Sequence, residues 1–282
     1  MAFSENITFF GALVHRKLLL LRYPLNCLNH HFFHRCDKIE RNLCVLDVHC
    51  TDMEFTGERV VPGKTPQAIY DEHIYRYMFA AGLTRNRMVL DVACGTGYGL
   101  SYIAEEGLGR AVGVDFSPEA ISYARERFGG NGRISFICAD GTRMPFADDS
   151  FDVVVSFETI EHIIKYGQFL SECRRVIREG GSIICSTPNR RIFSPHLAKP
   201  INTFHVKEFW PDEFHRLLSR YFAEVTFYGQ CDVKLADNSV DRSDYRVHDF
   251  IDNEHMSSGY IIAVARKRAK SRKICHSLKS QS

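Results

Sequence analysis

Three aspartates and a cluster of glycines carry the first recognisable chemistry in this sequence. Asp91-Val92-Ala93-Cys94-Gly95-Thr96-Gly97-Tyr98-Gly99 follows the apolar run Met88-Val89-Leu90. Glycines at such a bend permit a tight turn and let a ligand approach the main chain closely. Asp115 closes a second apolar run, Ala111-Val112-Gly113-Val114, about 20 residues past the first glycine, where an acid can take both hydroxyls of a ribose. Asp140 closes a third, Ile134 to Ala139, placed to accept a hydrogen bond from an exocyclic adenine amine. A dinucleotide turn would place its third glycine at position 100, which is Leu100. Asp91 would also repel a pyrophosphate. An acid there suits a cationic ligand.

A second constellation follows the next apolar run. In Phe157-Glu158-Thr159-Ile160-Glu161-His162, a helix opening at this point would put Glu158, Glu161 and His162 at i, i+3 and i+4 on one face. Two carboxylates and an imidazole so placed can hold a divalent cation or act as acid/base groups. Carboxylates that only complement a helix dipole are the third reading.

The elements that must position these groups follow from pattern. Met88–Ala93, Ala111–Asp115, Ile134–Ala139, Phe151–Phe157 and Ser182–Ser186 read as short buried strands. Tyr98–Glu106, a helix from Ser117-Pro118 to Phe128, and Phe169–Arg178 alternate with them. Glu224–Tyr228 and Tyr260–Ala265 supply two later strands. Strands alternating with helices of this length predict an α/β fold, a parallel sheet covered on both faces. Its carboxyl edge is where such sheets bind ligands. The polar, Asp-rich stretch Cys231–Ser258 is read as an insertion that covers the substrate.

Composition is that of an ordinary globular chain: 282 residues, 45% hydrophobic, 25% charged. A net charge of +2 gives no reason to expect nucleic acid. No segment reads as a signal peptide or a membrane span; Ile7–Leu21 is apolar but broken by His15-Arg16-Lys17. Ten cysteines without C-x-x-C spacing, several in apolar runs, suit a reducing cytoplasm. Residues 1–52 hold four cysteines and Asn29-His30-His31-Phe32-Phe33-His34 with no sustained period. They are expected to be a poorly structured or non-native extension, ahead of a working domain at 53–267 that starts by Met53 and a basic disordered tail at 268–282.

The motifs resemble those of class I S-adenosylmethionine (SAM)-dependent methyltransferases. Val89 to Gly97 is similar to their first motif, and Gly113-Val114-Asp115-Phe116-Ser117 to their second. Asp140 to Phe146 and Ser150 to Val154 are similar to the third and fourth, and Arg174 to Gly181 to the basic helix and glycine turn before strand five. The resemblance covers roughly 54–265 and implies a Rossmann-like seven-stranded, mostly parallel sheet with its last strand antiparallel. It implies that Asp91, Ala93, Gly95 and Gly97 surround the methionine moiety and Asp115 the ribose. Phe116, Asp140 and Gly141 then fall to the adenine side, with Phe157 completing the pocket. Upstream, Phe55 to Gly63 and Glu72-His73-Ile74-Tyr75-Arg76-Tyr77 are similar to bacterial enzymes of glycan synthesis. There Glu58 and Arg59 either line the pocket mouth or form a surface ion pair. The Glu-x-x-Glu-His element is similar to that of ubiquinone-pathway and small-RNA O-methyltransferases, and His205 occupies the region of a further histidine in the latter.

The resulting expectation is methyl transfer to an oxygen, less readily a nitrogen, of a small-molecule or glycan acceptor. Either His162 or His205 acts as base beside Glu161, or Mg²⁺ is held by Glu158, Glu161, His162 and His205. The competing function is a SAM-binding regulatory module of the same fold that has lost its chemistry.

Overall fold

The computed structural model describes residues 53–240 and 244–269. All the described residues belong to one compact unit. What the sequence suggests for residues 1–52, and for the tail beyond 269, lies outside the described residues.

In chain order the elements are α1 (Gln67–Thr84), β1 (Met88–Val92), α2 (Tyr98–Glu105), β2 (Arg110–Asp115), α3 (Pro118–Phe128), β3 (Ile134–Cys138) and β4 (Phe151–Ser156). A 3₁₀ turn (Ile160–His162) leads into α4 (Tyr166–Val176), β5 (Ile177–Pro188) and the single turn α5 (Arg190–Phe193). Then come α6 (Pro211–Leu218), β6 (Glu224–Lys234), β7 (Ser239–Val240), β8 (His248–Asp249) and β9 (Met256–Arg266). One sheet runs β3-β2-β1-β4-β5-β9-β6-β7, with β8 also paired to β6. β1 to β5 are mutually parallel, and β9 runs antiparallel to both β5 and β6. Seven strands form the expected sheet, and two two-residue strands on β6 enlarge it to nine.

Both faces of this sheet are buried, which is why its strands read as continuous apolar runs. Neighbours along β1 point to opposite faces: Val89 packs with Tyr77, Ala80, Leu100, Ile103 and Ile121 of α1, α2 and α3. Leu90 packs with Phe169, Leu170, Phe214 and Leu217 of α4 and α6. Ser117 caps α3, its hydroxyl accepting the Ala120 N–H at 3.1 Å with Pro118 at the first helical position. The strand order reverses between β1 and β4, and a crevice opens there at the carboxyl ends of the strands.

Several local expectations change. Phe157–His162 does not open a regular helix: Glu158 sits at φ +48°, and only Ile160–His162 makes a 3₁₀ turn. Glu158 therefore leaves the face it was expected to share with Glu161 and His162. β5 begins before Gly180-Gly181, and its register against β4 shifts there. Cys231–Ser258 is in large part the far end of a β6–β9 hairpin, with Asp232 opposite Ser258. Alternation of polar and apolar residues is weak there because this end of the hairpin is half exposed. α1 and α6 are not among the expected helices, although α6 starts with Pro211, carries Asp212 and Glu213 in its first turn and buries Phe214, Leu217 and Leu218.

Candidate active site

A cavity of about 1220 Å³ occupies the crevice. One side is made by the ends of β1, β2 and β3. Ala93, Gly95, Asp115, Phe116, Asp140, Gly141 and, from the end of β4, Phe157 all line it. The turn is built from left-handed backbone: φ is +63° at Ala93, +55° at Gly95 and +79° at Gly97. Asp115 staples that turn, one oxygen accepting the Gly95 N–H at 2.8 Å and the other the Ser117 N–H at 2.9 Å. Each carboxylate oxygen keeps a further lone pair. Asp140 uses one oxygen to accept from the N–H and hydroxyl of Thr142. Glu58 and Arg59 line the mouth, with the Arg59 guanidinium 3.8 Å from Asp115.

Asp91 and Gly97 lie behind the wall. A Cβ at Gly97 would come within 2.7 Å of the Phe136 ring, so this glycine serves close packing of the turn on β3. Asp91 is fully buried and accepts the Tyr77 hydroxyl at 3.1 Å; its Oδ1 has no hydrogen-bond partner. Burial raises its pKa to about 7, opposed by the Tyr77 hydrogen bond and reinforced by the nearby Asp115. The acid expected to face a cation is instead one shell beneath the cavity.

The opposite side gathers Glu161, His162 and His205, with ligand-capable atoms within 4.8 Å of one another. Each imidazole has its tautomer set by its neighbour. His162 Nδ1 lies 3.1 Å from the Phe204 carbonyl, which can only accept, so Nδ1 carries the proton. Its Nε2 lone pair faces Glu58 at 3.6 Å and Glu161 at 4.0 Å. His205 Nδ1 donates to the buried Glu208 at 2.9 Å, and its Nε2 accepts from Asn202 at 3.0 Å. Glu161 is fully buried; one oxygen accepts from Thr187 and the other has no partner. Burial, then the neighbouring Glu158 charge, holds its pKa well above the usual carboxylate range. Glu158 lines the cavity too, but its carboxylate turns to Ser186, which donates at 2.6 Å. It stands apart from the other three.

Residues 90–185 match a family described as a methyltransferase domain. A probable SAM-dependent methyltransferase of Mycolicibacterium smegmatis is 37% identical over 174 residues, 61% of this chain and 66% of that protein. A second, from Mycobacterium tuberculosis, is 36% identical over 179 residues, 63% of this chain and 64% of its own length. The chain thus spans slightly under two thirds of these relatives. A SAM-dependent methyltransferase structure from Archaeoglobus fulgidus superposes with a TM-score of 0.55 at 18% identity, over 72% of this chain and 95% of that one. The chain is thus similar to SAM-dependent methyltransferases, through a methyltransferase domain matched at residues 90–185.

The family match ends at Cys185, so Pro188, Phe193, Asn202, His205 and Tyr260, which also line the cavity, lie beyond it. So does α1, whose Glu72, His73 and Tyr77 close the floor. Behind them the fully buried Arg76 donates through Nε to Gln230 at 2.8 Å and stacks 4.4 Å over the Tyr260 ring. Its Nη1 lies 3.4 Å from Glu158, while both terminal nitrogens lack hydrogen bonds. Burial opposes the Arg76 charge, but Glu158, Tyr260 and Glu72 outweigh it and leave the pKa raised. His73 is held neutral, first by burial and then by Arg76. The only trace of this floor in the sequence is the Glu72-His73-Ile74-Tyr75-Arg76-Tyr77 motif. Among the described residues of 231–258 none lines the cavity; the cover seen there comes from α1 and residues 188–208. No helix among the described residues is long and apolar enough to cross a membrane.

Proposed function

We propose that the domain transfers the SAM methyl group to a hydroxyl of a small-molecule or glycan acceptor, with His162 as general base. The observation that carries this reading is the His162 ring: its Nδ1–H is tied to the Phe204 carbonyl, leaving the Nε2 lone pair in the cavity. SAM supplies an activated sulfonium, so its methyl carbon breaks from sulfur as the acceptor oxygen bonds to it. The hydroxyl proton goes to Nε2 of His162. Asp115 is assigned to the ribose, Phe116 and Asp140 with Gly141 to the adenine, and Ala93, Gly95 and Phe157 to the methionine end. Asp91 and Gly97 act through the turn, Asp91 as a buried counter-charge and Gly97 by packing. Positioning and exclusion of water supply most of the rate. The working unit is taken to be residues 53–267.

A metal reading draws on a different observation, the unpartnered buried oxygen of Glu161 beside two imidazoles. Both rings have the far nitrogen anchored, as metal-binding histidines do. Two imidazoles and one carboxylate suit a transition ion; Mg²⁺ prefers an all-oxygen shell. Held by Glu161, His162 and His205, whose Nε2 would give up its hydrogen bond from Asn202, such an ion would lower the pKa of the acceptor hydroxyl.

The deciding experiment is methyl transfer from radiolabelled SAM to a panel of hydroxylated acceptors, with and without EDTA. EDTA-resistant turnover that His162→Ala abolishes is expected. Loss of turnover in EDTA, restored by one transition ion, would move the role to the metal. SAM binding without turnover on any acceptor would mark the inactive regulatory module.

A further inference from the structure

The four most exposed large apolar side chains of the described residues are Phe116 and Ile164, each 78% exposed, Ile201 at 66% and Phe204 at 58%. All four line the one cavity. Single exposed apolar residues are ordinary, but a cluster rimming a polar-floored cavity marks a binding surface. Phe116 directly follows Asp115 at the end of β2 and falls to the cofactor side. The other three come from two segments distant in sequence, the loop after the 3₁₀ turn and the stretch between α5 and α6. A hydrogen bond joins these segments at the base itself, from His162 Nδ1 to the Phe204 carbonyl at 3.1 Å. The cavity's roughly 1220 Å³ exceeds the upper range for one small ligand, so a second molecule has room beside the cofactor. Its inner wall is polar, with Glu72, Glu158, Glu161 and His162, and on its outer rim Ile164, Ile201 and Phe204 stand exposed beside Glu58, Lys165 and Asn202.

We infer that the acceptor is amphipathic. Its hydroxyl-bearing head enters beside His162, and an apolar chain or ring system of the same molecule leaves over Ile164, Ile201 and Phe204. This rests on the methyl-transfer reading and gives its acceptor a chemical class. Burying the tail removes both its own apolar surface and the rim's from water, so affinity grows with tail length while the head sets orientation. A head without a tail binds weakly and turns over slowly.

The test uses the full chain loaded with S-adenosylhomocysteine and two probe series. Alkyl 4-hydroxybenzoates present a phenol head and alkyl glucosides a sugar head, each titrated by calorimetry below its micelle concentration. Affinity is expected to rise about fourfold for each added methylene that the rim buries. The series with the steeper rise identifies the head. In Ile164→Ser/Ile201→Ser/Phe204→Ser the rise should flatten while S-adenosylhomocysteine binding stays unchanged, which shows that the variant is folded. A flat response to both series in the wild type overturns the inference, as does an equal rise in the triple variant. A flat response together with a dimer that the triple variant dissociates would assign the rim to a second copy instead. If S-adenosylhomocysteine does not bind the wild type, the methyl-transfer reading fails and this inference falls with it.

Discussion

The two sides of the cleft are built by different means. The cofactor side is backbone-rich: three successive strand ends, a turn in left-handed geometry, and an aspartate that staples the turn through two N–H groups. Its parts run from Ala93 to Phe157 along the chain, and each sits where the alternation of strand and helix delivers it. The acceptor side is assembled from side chains. Glu58, α1, the 3₁₀ turn, residues 188–208 and β9 each contribute, and pairs such as Arg76 and Gln230 are 154 residues apart. The first side follows from the fold and is where the proposed function places the cofactor. The second is grafted onto it, and specificity must reside there.

That contrast predicts that damage to one side should spare the other. His162→Ala should lower turnover by roughly 10²- to 10⁴-fold, the usual share of a general base, with affinity for S-adenosylhomocysteine unchanged. Calorimetry beside a radiolabel assay separates the two effects. A parallel loss of cofactor affinity would mean that the sides are coupled.

Arg76→Met probes the floor. It breaks a buried ion pair and leaves Glu158 without its cation, at an expected cost of about 3 kcal/mol in stability. The double variant Arg76→Met/Glu158→Gln should recover most of that in thermal unfolding, because the uncompensated charge is gone. If the double variant is no more stable than the single, Arg76 serves packing over Tyr260 and the ion pair is incidental.

Asp115→Ala attacks the cofactor side alone. It frees the Gly95 and Ser117 N–H groups and removes the proposed ribose partner, so S-adenosylhomocysteine affinity should fall about a hundredfold. Binding of the alkyl probes should persist.

The same contrast explains what could be read from the sequence. Asp91, Asp115 and Asp140 end apolar runs, and nothing beyond local periodicity was needed to place Asp115 and Asp140 at the cavity. Even there burial depth escaped notice: a strand-end acid can face the cavity or lie beneath it, and Tyr77, which decides for Asp91, comes from a different element. On the acceptor side, His205 was found through a family likeness, but Glu208 and Asn202, which set its proton, were not. Their contacts depend on how residues 202–208 curl. Arg76 was hidden because an arginine is presumed exposed, and its burial is made tolerable chiefly by Gln230, Tyr260 and Glu158, which are remote in sequence. α1 was invisible for a related reason. Its buried face includes Arg76 and Thr84, which breaks the apolar stripe that marks a helix.

The smallest predicted effect is the most diagnostic of Asp91. Its folded pKa of about 7 lies above the unfolded carboxylate value near 4, so between those limits the folded state holds a proton that the unfolded state has released. Asp91 therefore contributes stability at low pH that is lost as pH rises toward 7, and Asp91→Asn should flatten that part of the stability profile. A cation docking above the turn has the opposite preference and favours the ionised acid. SAM affinity should thus rise by up to about tenfold between pH 6 and pH 8, with proton release near pH 7. Calorimetry in buffers of different ionisation enthalpy measures both quantities. In Asp91→Asn the pH dependence and the proton release should vanish together, with the Tyr77 hydroxyl still able to donate to the amide oxygen. Persistence of either in that variant would show that the proton belongs to another group. Asp91 would then be a structural acid under the turn, and the cofactor side would recognise the cation through backbone alone.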